Sequence, residues 1–148
     1  MTQPSALVSP EMVLWDAVQA HLRAAPALRA VVGDKVLDEV PSDLKAVVPP
    51  YAYAGPFNRS RLPDSDATAW TIKMRLYVAS TGFGRRQAWG LAELLSAALD
   101  RTELTLASPY LAVGEILVIQ AGDVIAPPSP KTAFVDIEVI VQEEPTDE

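Results

Sequence analysis

Residues 70–78 read Trp70-Thr71-Ile72-Lys73-Met74-Arg75-Leu76-Tyr77-Val78, with Trp70, Ile72, Met74, Leu76 and Val78 alternating against Thr71, Lys73, Arg75 and Tyr77. A period of two puts the first set on one face of a β-strand, so that face turns inward. After Ser80-Thr81-Gly82 the period changes. Ala88, Leu91, Ala92, Leu95, Ala98 and Leu99 recur at three- and four-residue spacing, which predicts a helix over 84–99 with one apolar stripe. Gly90 inside it costs ~1 kcal/mol against Ala, and close approach to a sheet would account for its presence. Thr132 to Gln142 alternates again, Ala133, Val135, Ile137, Val139 and Val141 opposing Asp136, Glu138 and Gln142. If the two long strands are neighbours, Lys73 and Arg75 meet Asp136 and Glu138 in cross-strand ion pairs of ~0.2 to 1 kcal/mol each.

Upstream, Ser9-Pro10 suits a helix N-cap and first position, and Leu14, Trp15, Val18 and Leu22 give the helix to about Ala24 its buried side, leaving Asp16, Gln19 and Arg23 for water. A short second helix runs from Pro26 to Gly33, a residue able to take the left-handed conformation past a helix end. Lys35–Val40 and Pro50–Gly55 read as strands, Tyr51 and Tyr53 on one face and Ala52 and Ala54 on the other. Pro56 to Ala67 reads as a long loop, Leu104–Leu106 as a short extended piece, Glu115–Ala121 as a strand and Gly122–Lys131 as a Pro-rich connection. Strands cluster instead of alternating with helices. The expected fold is therefore α+β, a mostly antiparallel sheet of four to five strands with two to three helices packed on it. Residues 1–8 and 143–148 are expected to be flexible tails around one domain over 9–142.

The 148 residues are 49% hydrophobic and 21% charged, in the range of one compact domain. Twelve Lys and Arg against 19 Asp and Glu leave a net charge of −7, which argues against a nucleic-acid clamp or a binder of anionic membranes. Four of the acids fall in residues 143–148. No Cys is present, which excludes disulfides and thiolate zinc sites. No targeting segment or membrane-length apolar run is legible, and the expectation is a soluble protein made in the cytoplasm, for which Asn58-Arg59-Ser60 carries no meaning as a glycosylation sequon.

Catalytic chemistry finds little support. His21 is the single imidazole, too few for a triad or a histidine metal site. Gly82-Phe83-Gly84 lacks the further glycine or Gly-Lys-Ser/Thr that a phosphate loop requires. Asp64 with Asp66, and Asp136 with Glu138, are close carboxylate pairs, the second explained by the cross-strand cations. No enzyme, metal or cofactor is expected. Contact chemistry is more promising: Phe57, Arg59, Arg61 and Leu62 mix an aromatic, two cations and an apolar group in the expected loop, and Arg85 and Arg86 make a basic spot at a helix start.

The segments LWDAVQAHLRAAPALRAVVGDKVLDEVP (Leu14–Pro41), PPYAYAG (Pro49–Gly55), WTIKMRLYVASTGFGRRQAWGLAELLSAALD (Trp70–Asp100) and TAFVDIEVIVQ (Thr132–Gln142) resemble, in that order, the tail completion or tail terminator proteins of long-tailed bacteriophages and gene transfer agents. The resemblance runs from Leu14 to Gln142; the Gly122–Lys131 connection and the acidic C-terminus depart from the family pattern. It implies a structural α+β subunit that forms a ring, typically a hexamer, at the head-proximal end of the tail tube. Its partners would be the major tail tube protein and a neck or head-completion protein, first in the bacterial host cytoplasm and then in the virion or gene transfer agent tail. DNA would pass through the ring without specific binding. Six copies carry six times −7, or −42, consistent with a lumen that repels phosphate. The competing reading is a generic non-enzymatic accessory domain of a phage-like particle. The interface expected on either account is Phe57, Arg59, Arg61, Leu62, Arg85 and Arg86.

Overall fold

The computed structural model describes residues 8–42, 47–63, 68–81, 85–124 and 131–144. The elements are α1 (Pro10–Ala24), α2 (Pro26–Val32), β1 (Val36–Leu37), β2 (Tyr51–Arg61), β3 (Ala69–Ala79), α3 (Arg85–Leu99), β4 (Tyr110–Val124) and β5 (Thr132–Glu143). The five strands form one sheet in the order β1-β2-β3-β5-β4, parallel only between β1 and β2. The α+β class expected from the sequence is the observed one. Ser9 caps α1 by accepting from the Met12 amide, Pro10 takes the first helical position, and Gly33 ends α2 at φ +63°.

All three helices lie on one face of the sheet. Leu14, Trp15, Val18 and Leu22 of α1 and Leu91, Leu95 and Leu99 of α3 pack onto Ile72, Met74, Leu76 and Val78 of β3 and Val135, Ile137, Val139 and Val141 of β5. The alternation that predicts β3 and β5 therefore sorts core from surface, with Trp70 only half-buried at the start of β3. Gln19 and Arg23, assigned to water on pattern, instead donate to the Val36 carbonyl at 2.7 and 2.9 Å, while the Trp15 indole donates to Asp38 at 2.8 Å. These bonds hold the two-residue β1 against α1, where its own ladder is too short to do so. The His21 Nε2 is 2.7 Å from the Ala98 carbonyl, which can only accept, so this nitrogen carries the proton and ties α1 to α3.

Further expectations are corrected. The strand read as ending at Gly55 continues to Arg61, so Pro56–Arg61 is not loop. Ala54 pairs with Leu76 and Phe57 with Met74, leaving Gly55 and Pro56 together opposite Arg75 as a β-bulge. Pro56 cannot donate to a ladder, and a Cβ at Gly55 would sit 2.5 Å from the Tyr77 ring. The Gly-Pro pair thus marks a bulge, not a strand end. The last hairpin is also longer than expected: β4 starts at Tyr110 and runs to Val124, across the first residues of the supposed Pro-rich connection. Gly90 faces solvent with nothing near the position of a Cβ, so close approach to the sheet does not explain it. Leu104–Leu106 is irregular, held by burial of Leu106. β5 reaches Glu143, and the Glu144 amide donates to the Pro109 carbonyl at 2.7 Å. Gly82-Phe83-Gly84, Asp64 and Asp66, residues 1–7 and residues 145–148 lie outside the described residues.

Candidate assembly surface

The face of the sheet away from the helices carries the polar set of each strand. Register places Arg75 opposite Asp136 and Lys73 opposite Glu138, as the alternation requires. Arg75 forms a bidentate pair with Asp136, Nε to Oδ1 at 2.8 Å and Nη2 to Oδ2 at 3.0 Å, and its guanidinium lies 3.8 Å over the Phe134 ring. The side-chain bond to Asp136 is the main reason its pKa rises above the usual arginine value. Lys73 is 4.0 Å from Glu138, a looser contact. Tyr53 stacks on Tyr77 at 5.1 Å, and Tyr77 meets Phe134 edge-on at 6.3 Å, so an aromatic row crosses β2, β3 and β5. Burial raises the phenol pKa values of Tyr51 and Tyr53, with the neighbouring phenols adding to the rise at Tyr53. Pro56, Asn58, Lys73, Arg75, Ile119, Gln120 and Asp136 line a shallow cleft of about 250 Å³ where the β2 bulge and a second bulge in β4 flank the ion pair.

The six residues expected at an interface are not gathered. The single extra residue of the β2 bulge reverses the facing of the rest of that strand, so Phe57, Arg59 and Arg61 project on the helix side. Phe57 packs against the core, and Arg59 pairs with Glu11 of α1 at 3.2 Å while lying 5.1 Å over the Trp70 ring. Arg61 is exposed, and the Leu62 amide donates to the Ala69 carbonyl at 2.9 Å. Arg85 sits at the other end of the sheet, where its guanidinium and the Trp89 indole each reach Asp123 Oδ2 at 3.1 Å; Arg86 is exposed beside it. Two separate spots result, and in each an arginine is already partnered within the chain.

A row of exposed apolar side chains lies elsewhere, on β4. Leu111, Val113, Leu117 and Val124 of β4 pair with Gln142, Ile140, Glu138 and Thr132, so all four stand on the open face, and Ile119 joins them at the bulge. Each remains more than a third exposed. Near the middle of β4, Arg101 and Thr102 exchange bonds with Ile116, and Asp100 accepts from the Val118 amide at 3.0 Å. The sequence carries a signal for this surface: residues 102–130 contain no Lys or Arg, and Leu111, Val113, Leu117 and Ile119 sit at odd positions. A strand confined to Glu115–Ala121 cuts that row in half and conceals it.

Among the described residues no cluster of three or more His, Asp or Glu is placed to hold a metal, and no helix is long and apolar enough to cross a membrane. No curated protein matches the chain. Among solved structures, a chain of the virion of a native gene transfer agent particle is 25% identical and superposes with a TM-score of 0.71, over 89% of this chain and 95% of its own. Another solved chain, 14% identical with a TM-score of 0.48, is too distant to carry an argument. The family described as "Tail completion protein gp17" matches residues 16–142, nearly the whole domain, and the chain belongs to that family of phage tail structural proteins.

Proposed function

We propose that the chain assembles into a ring, with six subunits as the expected number, that closes the head-proximal end of a phage-like tail tube and joins it to the neck. The observation that carries this reading is the near full-length likeness to a chain built into a gene transfer agent virion. The sheet supports it physically. A face that leaves five aliphatic side chains of one strand exposed is unusual for a domain that works alone, and a partner covering them would remove apolar area from water at about 25 cal/mol per Å². Partners on this account are further copies of the chain, the major tail tube protein and a neck or head-completion protein. Assembly takes place in the host cytoplasm and the product stays in the particle's tail. DNA crosses the lumen unbound, kept off the wall by the summed acidic charge.

Native mass spectrometry of the purified chain, with and without tail tubes, tests the reading. A species of six times 15.9 kDa, free or released from tubes, is the expected result. A chain that is monomeric at ~100 μM and leaves tubes uncapped contradicts it.

A further inference from the structure

Two glycines lie against the aromatic row of the open face. Gly122 of β4 pairs directly with Phe134 of β5, and a Cβ built on it would sit 2.6 Å from the tip of the Phe134 ring. Gly55, in the β2 bulge, would place a Cβ 2.5 Å from the Tyr77 ring and 3.0 Å from the Arg75 carbonyl. Packed side chains do not approach so closely, so each ring lies where only a glycine leaves room. The rings lean opposite ways, Tyr77 towards β2 and Phe134 towards β4. Gly33, Gly90 and Gly114 have nothing within 4 Å of the same position, so the crowding is particular to the row.

Neither ring is free to swing aside. Phe134 is 9% exposed, with the Arg75 guanidinium 3.8 Å over its face and Tyr77 edge-on at 6.3 Å. Tyr77 is stacked on Tyr53 at 5.1 Å. Arg75 in turn spans two alternate residues of β5, covering Phe134 while it binds Asp136 at 2.8 and 3.0 Å. A ring pushed up from Gly122 therefore pushes on the guanidinium that makes the ion pair. Glycine weakens a strand relative to alanine, and the overlying rings supply the reason for it at both positions.

We infer that Gly55 and Gly122 are seats for the Tyr77 and Phe134 rings, and that Gly122 acts through Phe134 as a positioning residue that holds Arg75 on Asp136 at the centre of the open face. The device links β2, β3, β5 and β4 through side chains and is independent of the ring reading. Rings and a guanidinium fixed in advance have less conformational entropy to lose when the face is covered, so the seats pre-form that surface.

Urea unfolding of seat variants tests the inference. Gly122→Ala should lower the urea midpoint, where alanine at an uncrowded strand position raises it. In a Phe134→Leu background, which removes the ring atoms nearest the new Cβ, the same substitution should cost less than about a third as much. Gly55→Ala should also lower the midpoint, and Tyr77→Leu should recover only part of the loss, because the Arg75 carbonyl stays 3.0 Å away. Positioning is read separately, as the Arg75–Asp136 coupling from Arg75→Met, Asp136→Asn and the two together. That coupling should fall below about half its parental value in the Gly122→Ala chain, and likewise in Phe134→Leu with Gly122 kept. Val139→Ala, a core change on the helix side, should lower the midpoint and leave the coupling at its parental value.

A Gly122→Ala chain at least as stable as the parent, an equal loss with Leu at position 134, or a coupling unchanged in both the Gly122→Ala and Phe134→Leu chains overturns the inference. A coupling that falls equally in Val139→Ala overturns the positioning role, since general loosening would then explain it. If Gly122→Ala alone does not fold, Gly122→Ala with Phe134→Leu should fold, and its failure to do so overturns the seat. The coupling in Phe134→Leu then decides the positioning role.

Discussion

Replacing Arg75 by Met and Asp136 by Asn, singly and together, isolates the ion pair at the centre of the open face from everything else those side chains touch. The pair is bidentate at 2.8 and 3.0 Å, with side chains 35% and 15% exposed. Hydrogen bonds to charged groups contribute ~1.5 to 3 kcal/mol, and partial exposure of the arginine lowers that, so the coupling energy should be about 1 to 2 kcal/mol. The neighbouring Lys73–Glu138 pair spans 4.0 Å with side chains 57% and 30% exposed, and its coupling should fall below ~0.5 kcal/mol. Arg75→Met also removes the guanidinium from the Phe134 face, a loss of ~0.5 to 2 kcal/mol that the cycle cancels. Urea unfolding of all variants at ~0.1 M and ~1 M salt provides the measurement. The Debye length shrinks from ~10 to ~3 Å over that range, so the lysine pair's coupling should vanish while most of the arginine pair's survives. Equal couplings, or an arginine pair that fades with salt as fast as the lysine pair, would refute the reasoning from geometry and burial.

Three further outcomes concern the core, the third helix and the tyrosines. Met74, 1% exposed beneath the helices, should not tolerate a charge: Met74→Asp should cost several kcal/mol of a total near ~5 to 15 and unfold the domain, while Thr71→Asp on the open face should shift the urea midpoint little. Gly90→Ala should raise stability by ~0.5 to 1 kcal/mol, seen as a melting temperature about 1 to 4 °C higher, because the helix gains a better former and the Cβ meets open space. Burial raises the phenol pKa values of Tyr51 and Tyr53 in the folded state, so stability should hold below pH ~10 and fall as pH climbs above it, and Tyr53→Phe should flatten that fall in urea titrations.

How legible the molecule is in its sequence depends on whether a pattern is local. The alternation in β3 and β5 locates the core face, and the charges on their other sides anticipate two cross-strand pairs that are distant along the chain but adjacent in the sheet. Caps at Ser9, Pro10 and Gly33 are equally direct, since each satisfies a requirement of the helix end it sits on. Bulges defeat the same method. Gly55-Pro56 carries the composition of a turn, yet β3 continues beside it and re-pairs β2 from Phe57 onward, so the expected contact loop is strand over Pro56–Arg61, with Arg59 and Arg61 facing the helices. In β4, extra residues after Val113 and Val118 break strict alternation, and the exposed row is visible only once register with β5 is fixed. The candidate surface therefore moves from a loop that composition favours to a strand face that pairing defines.

Electron microscopy of tail tubes polymerised with and without this chain tests the central claim most directly. The account predicts tubes of bounded length bearing a ring of density at one end, the same end that later accepts the neck, and unbounded growth when the chain is withheld. Tubes whose lengths and ends are unchanged by a folded, full-length chain in molar excess over tube ends would contradict it.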